Sequence, residues 1–139
     1  MKKLFALLAA QRETTTDLGL LVLRLSIGGL MLWQHGLEKI KGYEKFAGFV
    51  ADSGLPRPEV LAPLAAGAEV VGAALFALGL LTRVGALAVA GTMAVAAFYI
   101  QRDDGLAKQE MALLYLAAAT CVLLAGPGRF SLDRALFAK

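Results

Sequence analysis

The sequence predicts an all-α fold held in a lipid bilayer: an antiparallel four-helix bundle, with short interfacial helices in the first loop and at the termini. Three features point there. The chain is 58% hydrophobic and 18% charged, whereas soluble domains run near 45–50% and about 25%. Its apolar residues gather into four long segments, without internal repeats or low-complexity linkers. Connections of unequal length separate those segments, from the three residues Leu81-Thr82-Arg83 to the long stretch from Lys41 to Val60. A length of 139 residues fits one compact domain, 1–139.

The first segment organises the rest. Residues 18–40, LGLLVLRLSIGGLMLWQHGLEKI, are long enough to cross a bilayer, which takes about 20 mostly apolar residues. Thr14, Thr15, Thr16 and Asp17 precede it as candidate cap residues. Upstream, MKKLFALLAA imitates a signal peptide, but its apolar run is short and no A-x-A site follows. It is expected to lie at the interface with Lys2 and Lys3 toward headgroups.

The connection from Lys41 to Val60 is long, and Tyr43, Phe46, Phe49 and Val50 recur in it at helical spacing. That pattern suits a short surface helix ending at Ser53-Gly54, with an irregular loop as the alternative. The second span is expected over about 61–81, the third over 84–100 and the fourth over 110–126. Gly126-Pro127-Gly128 ends the fourth, because proline lacks a donor and glycine frees φ. The closing FSLDRALFAK is amphipathic, with Ser131 as a candidate N-cap.

Four crossings put both termini on one side. That side holds Lys2, Lys3, Arg12, Arg83, Arg129, Arg134 and Lys139, against Lys39, Lys41, Lys45, Arg57, Arg102 and Lys108 on the other. The excess of basic residues places both termini in the cytoplasm.

The ionisable residues inside the spans are the candidate site. At about 100° per residue, Arg24, Gly28, Met31, His35 and Glu38 share one stripe of the first helix. With a rise of about 1.5 Å per residue, His35 lies ~8 Å below the outer boundary, Glu69 ~13 Å and Arg24 ~24 Å. Glu69 is expected to be ionised and paired, with Arg24 the first-choice partner and His35 the second, because an unpaired carboxylate there would protonate. Such a pair either fixes helix register or serves binding or proton handling. Lys39, Tyr99, Gln101, Arg102 and Glu110 are expected at the same outer level. Leu114, Ala117 and Cys121 would lie beneath Glu110, and Thr92 on the face of Tyr99. Together these would ring a pocket with a polar rim and an apolar floor, or they are ordinary interfacial residues. Gly28, Gly29, Gly67, Gly72, Gly79, Gly85 and Gly91 read as close-packing positions.

Several functions are excluded. A net charge of +3 calls for no nucleic-acid partner, and the single Cys121 leaves no intrachain disulfide or CxxC pair. His35 is the only histidine, so a monomer cannot ligate haem through two histidines. A Cys/His metal set is lacking, and the expected metal is none.

The runs LRLSIGGLMLWQHGLEKI, AAGAEVVGAALFALGLLTR and EMALLYLAAATCVLLAGPGRFSLD together resemble the DoxX family of small bacterial membrane proteins, over about 18–133. The family's marker positions fall on Arg24, His35, Gly36, Lys39, Glu69, Gly79, Arg83, Glu110, Gly126, Pro127, Gly128 and Arg129. The resemblance implies a multi-pass protein of the bacterial inner membrane associated with quinone-linked redox systems. It implies no intrinsic cofactor, a quinone or small amphiphile as ligand and a redox protein as partner. As an enzyme it would be only a subunit bearing no cofactor. A carrier or binder of a small amphiphile or weak acid, and a non-catalytic scaffold, stand as the alternatives.

The topology is open to direct test. A reporter fused after Lys139 is expected to be active only when cytoplasmic, and activity of a periplasm-dependent reporter there would reverse the assignment.

Overall fold

The computed structural model describes residues 2–137, with side chains from residue 13 onward. The interfacial placement of Lys2 and Lys3 therefore lies outside the described side chains. Among the described residues all regular structure is helical. The first span joins α1 (Lys2–Leu30), a π-helical segment (Met31–Gly36) and α2 (Leu37–Lys41). After α3 (Tyr43–Asp52), the second joins α4 (Pro58–Gly67), a π segment (Ala68–Gly72) and α5 (Ala73–Leu78). The third is α6 (Thr82–Val95) with a π segment (Ala96–Ile100), and the fourth is α7 (Leu106–Ala125). A last short helix, α8, covers Leu132–Phe137. Four of these stretches, Glu13–Lys41, Pro58–Leu78, Thr82–Ile100 and Leu106–Ala125, are long and apolar enough to cross a membrane.

Each span packs on its neighbour in the chain, and α1 touches α7 to close the ring, its lightest seam. Glu13 and Phe137 line the same hollow, so the start of the first membrane-length stretch and the C-terminal tail meet at one end of the bundle. That end is called the terminal end below, and the end carrying α3 the loop end.

Two local details differ from the pattern read along the chain. α1 runs unbroken through Thr14–Asp17, so the expected cap does not start the span there. Asp17 instead faces the C-terminal tail and accepts a hydrogen bond from the Arg129 N–H at 2.9 Å. The second span stops at Leu78 because Gly79 takes a left-handed conformation, φ 69°, which glycine adopts without a side-chain clash. Ser131 caps α8 as its position suggests, its hydroxyl accepting from the Arg134 N–H at 3.3 Å.

The interior is made of small side chains. Ala73, Ala86, Ala90, Ala97, Ala112 and Ala119 surround Met31, Phe76, Val89, Met93 and Val122. Large residues such as Val22, Leu25, Val71, Leu87, Phe98 and Leu124 point outward. This inversion follows from the medium. Lipid tails are as apolar as leucine, so helices associate through close contact rather than by escaping water. A Cβ on Gly28 would meet the Ala77 Cβ at 2.8 Å and the Ala73 carbonyl oxygen at 2.9 Å. On Gly36 it would meet the Glu69 carbonyl oxygen at 2.7 Å, and on Gly85 the Gly72 carbonyl oxygen at 2.7 Å. Gly29, Gly67 and Gly91, grouped with these by sequence, have open space instead.

The glycines should separate by that criterion. Gly28→Ala and Gly36→Ala are expected to destabilise the detergent-solubilised protein by about 1–3 kcal/mol through overpacking. Gly29→Ala should be neutral or slightly stabilising, because alanine is the better helix former. Thermal unfolding of the three variants compares them directly.

Candidate functional site

At the loop end the first span does not continue as the straight helix its stripe assumes. The π segment, in which the Leu37 N–H reaches the Leu32 carbonyl, fits an extra residue into the turn. Arg24, Gly28 and Met31 remain buried, but the inward face then passes to Gly36 and Lys39, leaving Glu38 exposed. Gly36 lets the backbones of the first two spans approach at Glu69. Lys39 Nζ meets Glu69 Oε1 at 2.5 Å, with the lysine side chain 26% exposed and the glutamate 2%.

Glu69 is thus paired, and the partner is Lys39 rather than Arg24 or His35. The cation offset by one residue from the predicted stripe is the one the π turn carries inward. The Phe46 ring of α3 lies over the ammonium, 4.6 Å from nitrogen to centroid, a distance suited to a cation–π contact. Glu69 Oε2 is buried without a hydrogen-bond partner. Half-buried His35 stacks edge-on against Tyr115, the centroids 5.5 Å apart and the planes at 86°.

Other residues expected at this pocket stand apart. Tyr99 is largely exposed, and its hydroxyl donates to the Gly54 carbonyl at 3.0 Å, fastening the loop after α3 to the third span. Glu110 lies on the outside of α7, lining a shallow groove with Leu106, Ala107, Leu113 and Leu114. Leu114, Ala117 and Cys121 are exposed with it, because the inward face of α7 is Ala112, Tyr115, Ala118, Ala119 and Val122. The Thr92 hydroxyl bonds back to the Ala88 and Val89 carbonyls of its own helix. Gln101 and Arg102 belong to the turn before α7, where Gln109 Nε2 donates to the Gln101 carbonyl at 2.9 Å and Arg102 pairs with Asp103. The polar ring therefore contracts to His35, Lys39 and Glu69, with Phe46 and Tyr115 against them.

Arg24 works at the opposite end. It is completely buried, and its guanidinium donates to the Phe130 carbonyl at 2.5 Å and the Ala77 carbonyl at 3.4 Å. Beside it the tail closes the bundle. Asp133 accepts from the Leu81 N–H at 2.6 Å, the Thr82 N–H at 2.9 Å and the Thr82 hydroxyl at 2.7 Å. These are groups at the start of α6, which has no side-chain cap of its own and favours a negative charge there. The same contacts hold Leu81 in a left-handed conformation, φ 44°. The Asp133 N–H returns a bond to the Gly79 carbonyl at 2.7 Å.

Burial alone would raise the Asp133 carboxyl pKa. The hydrogen bonds from Thr82 and Leu81 and the charge of Arg24 outweigh it and hold the group below its ordinary value. Gly126 and Gly128, at φ 84° and 74°, turn the chain around Pro127 so that Arg129 reaches Asp17.

A family model described as DoxX matches residues 19–102. The chain belongs to the DoxX family. No curated protein and no solved structure matches it. The DoxX match ends before α7, so the closing Gly126-Pro127-Gly128-Arg129 motif is described by this structure and by the sequence resemblance alone. In this DoxX protein, of the positions that the sequence resemblance singled out, His35, Gly36, Lys39 and Glu69 lie at one end, and Arg24, Gly79 and the Gly126–Arg129 turn at the other.

A hollow of about 1110 Å³ opens beside the latter end, between α1 and the tail, and includes Asp17, Arg129 and Asp133. Tyr115 and Asp133 were missed in the sequence. The i, i+3, i+7 run of Ala112, Tyr115 and Ala119 was a usable signal for the first. Nothing local reveals what Asp133 caps.

The tail's closure can be measured. Asp133→Ala is expected to cost about 1–3 kcal/mol through the lost cap, and Arg24→Met to speed tryptic cleavage after Arg129. Because the Asp133 pKa is depressed on folding, its contribution is present above the unfolded carboxylate range of about 4 and disappears as pH falls through the folded value. Hydrogen exchange at the Leu81 and Thr82 amides should stay slow, after correction for intrinsic rates, from about pH 5 to 8 and accelerate only below that range.

Proposed function

We propose that this protein is an accessory component of a quinone-linked redox system in the bacterial inner membrane. It takes a quinone headgroup at the loop end and brings no electron-transfer cofactor of its own. A protein partner supplies that cofactor, and both termini face the cytoplasm. The observation that carries the reading is the partly exposed Lys39 on a buried Glu69, one helical turn from half-buried His35.

The groups suit the ligand. Quinone carbonyls are acceptors, and Lys39 is a donor with a residual opening outward; His35 can donate from a ring nitrogen. Phe46 and Tyr115 offer apolar faces beside them, as small-molecule sites require. The resemblance to the DoxX family is what suggests an association with redox systems. The weak-acid carrier loses support from the same geometry, because its lower cation, Arg24, is held by the Phe130 and Ala77 carbonyls.

Photolabelling of nanodisc-embedded protein with a short-chain azidoquinone, mapped by mass spectrometry, tests the site. Labels are expected between Met31 and Phe46 and around Glu69, and Lys39→Gln should reduce them about tenfold, the loss of one charge-assisted hydrogen bond. Labelling spread evenly over lipid-facing residues, or indifferent to Lys39→Gln, would sink the proposal.

A further inference from the structure

The Lys39–Glu69 pair leaves one feature that the quinone reading does not use. Glu69 is 98% buried, and Lys39 engages only Oε1; Oε2 has no hydrogen-bond partner on any element packed around it. An ionised carboxylate only accepts hydrogen bonds. A buried polar atom left unmet is costly, by more when it carries charge. Gly36 lies against the Glu69 backbone, where an added Cβ would meet the carbonyl oxygen at 2.7 Å, and the Lys39 ammonium fixes which carboxylate oxygen is occupied. Oε2 is therefore a fixed acceptor beside a fixed donor.

We infer that the site selects a ligand carrying a hydroxyl donor, so that the reduced, dihydroxy form of a quinone binds more tightly than the oxidised form. This rests on the site proposed above and specifies its substrate class. The two forms differ in the relevant respect: a quinone carbonyl can meet Lys39 but not Oε2, whereas a hydroquinone hydroxyl can accept from Lys39 and donate to Oε2. A quinone carbonyl against Oε2 would oppose two acceptors. The pair thus reads the donor pattern of the headgroup, in the way that a buried polar group rejects an analogue that cannot satisfy it. Substituting Gln for Glu69 would place an amide that can donate where only an acceptor stands, and the preference should then invert.

Equilibrium dialysis of nanodisc-embedded protein against a short-chain benzoquinone and its chemically reduced hydroquinone measures the selectivity. The hydroquinone is expected to bind about tenfold more tightly, the scale of one hydrogen bond to a charged group. In Glu69→Gln the ratio should fall to one or reverse. The dimethyl ether of the hydroquinone tests the same point without altering the protein, and it should lose the advantage. Equal or tighter binding of the quinone to the unaltered protein, or an ether that binds as well as the hydroquinone, would overturn the preference and leave Oε2 to a water. Binding of neither form would remove the site itself.

Discussion

A carboxylate inside a lipid-embedded bundle must find a cation, and the path of the first span is shaped by that requirement. Glu69 is deep enough that its charge is tolerable only beside Lys39. A straight helix running on from Met31 would turn Glu38 toward it, setting two acids against each other. The π segment at Met31–Gly36 removes that conflict by advancing the inward face to Gly36 and Lys39. Gly36 then allows the close backbone approach that the pair needs. π segments also occur at Ala68–Gly72, which contains Glu69, and at Ala96–Ile100, which contains Tyr99. Two of the three departures from regular helix thus fall in the spans that carry Lys39 and Glu69, as such departures often do at functional sites.

The two ends of the bundle handle buried charge differently. At the terminal end Arg24 and Asp133 are spent on backbone: carbonyls of Ala77 and Phe130 for the first, N–H groups of Leu81 and Thr82 for the second. That arrangement ties the tail to the turn between the second and third spans and satisfies the start of α6, the kind of duty in which polar groups hold structure. At the loop end Lys39 and Glu69 meet each other, the lysine partly exposed and the glutamate buried with an acceptor left over. Charge with unused hydrogen-bonding capacity is what a ligand can exploit. For this reason the proposed chemistry belongs to Lys39 and Glu69, although Arg24 is more deeply buried than either.

Much of the architecture was legible in the chain. Composition and the four apolar runs determine a membrane bundle, and Gly126-Pro127-Gly128 marks the end of the last span. Part of the site was legible too: Glu69 was recognisable as a buried, paired acid and His35 as a neighbour in height, whereas Lys39 was read as part of the outer rim. The pairing itself was misread because an unbroken period of 3.6 residues was carried through Met31–Gly36. The outer ring of Tyr99 and Glu110 was misread because polar residues at the interface look alike whether they face the bundle or the lipid.

The sequence by itself determined the medium, the number of crossings and which residues are too polar for lipid, since these follow from composition and local period. Only the tertiary structure decided which charge meets which. A one-residue advance in a helix rotates every later side chain by about 100°, and contacts such as Asp133 on Thr82 join residues distant in sequence. No local pattern records either effect, because both are set by how separate spans close against one another.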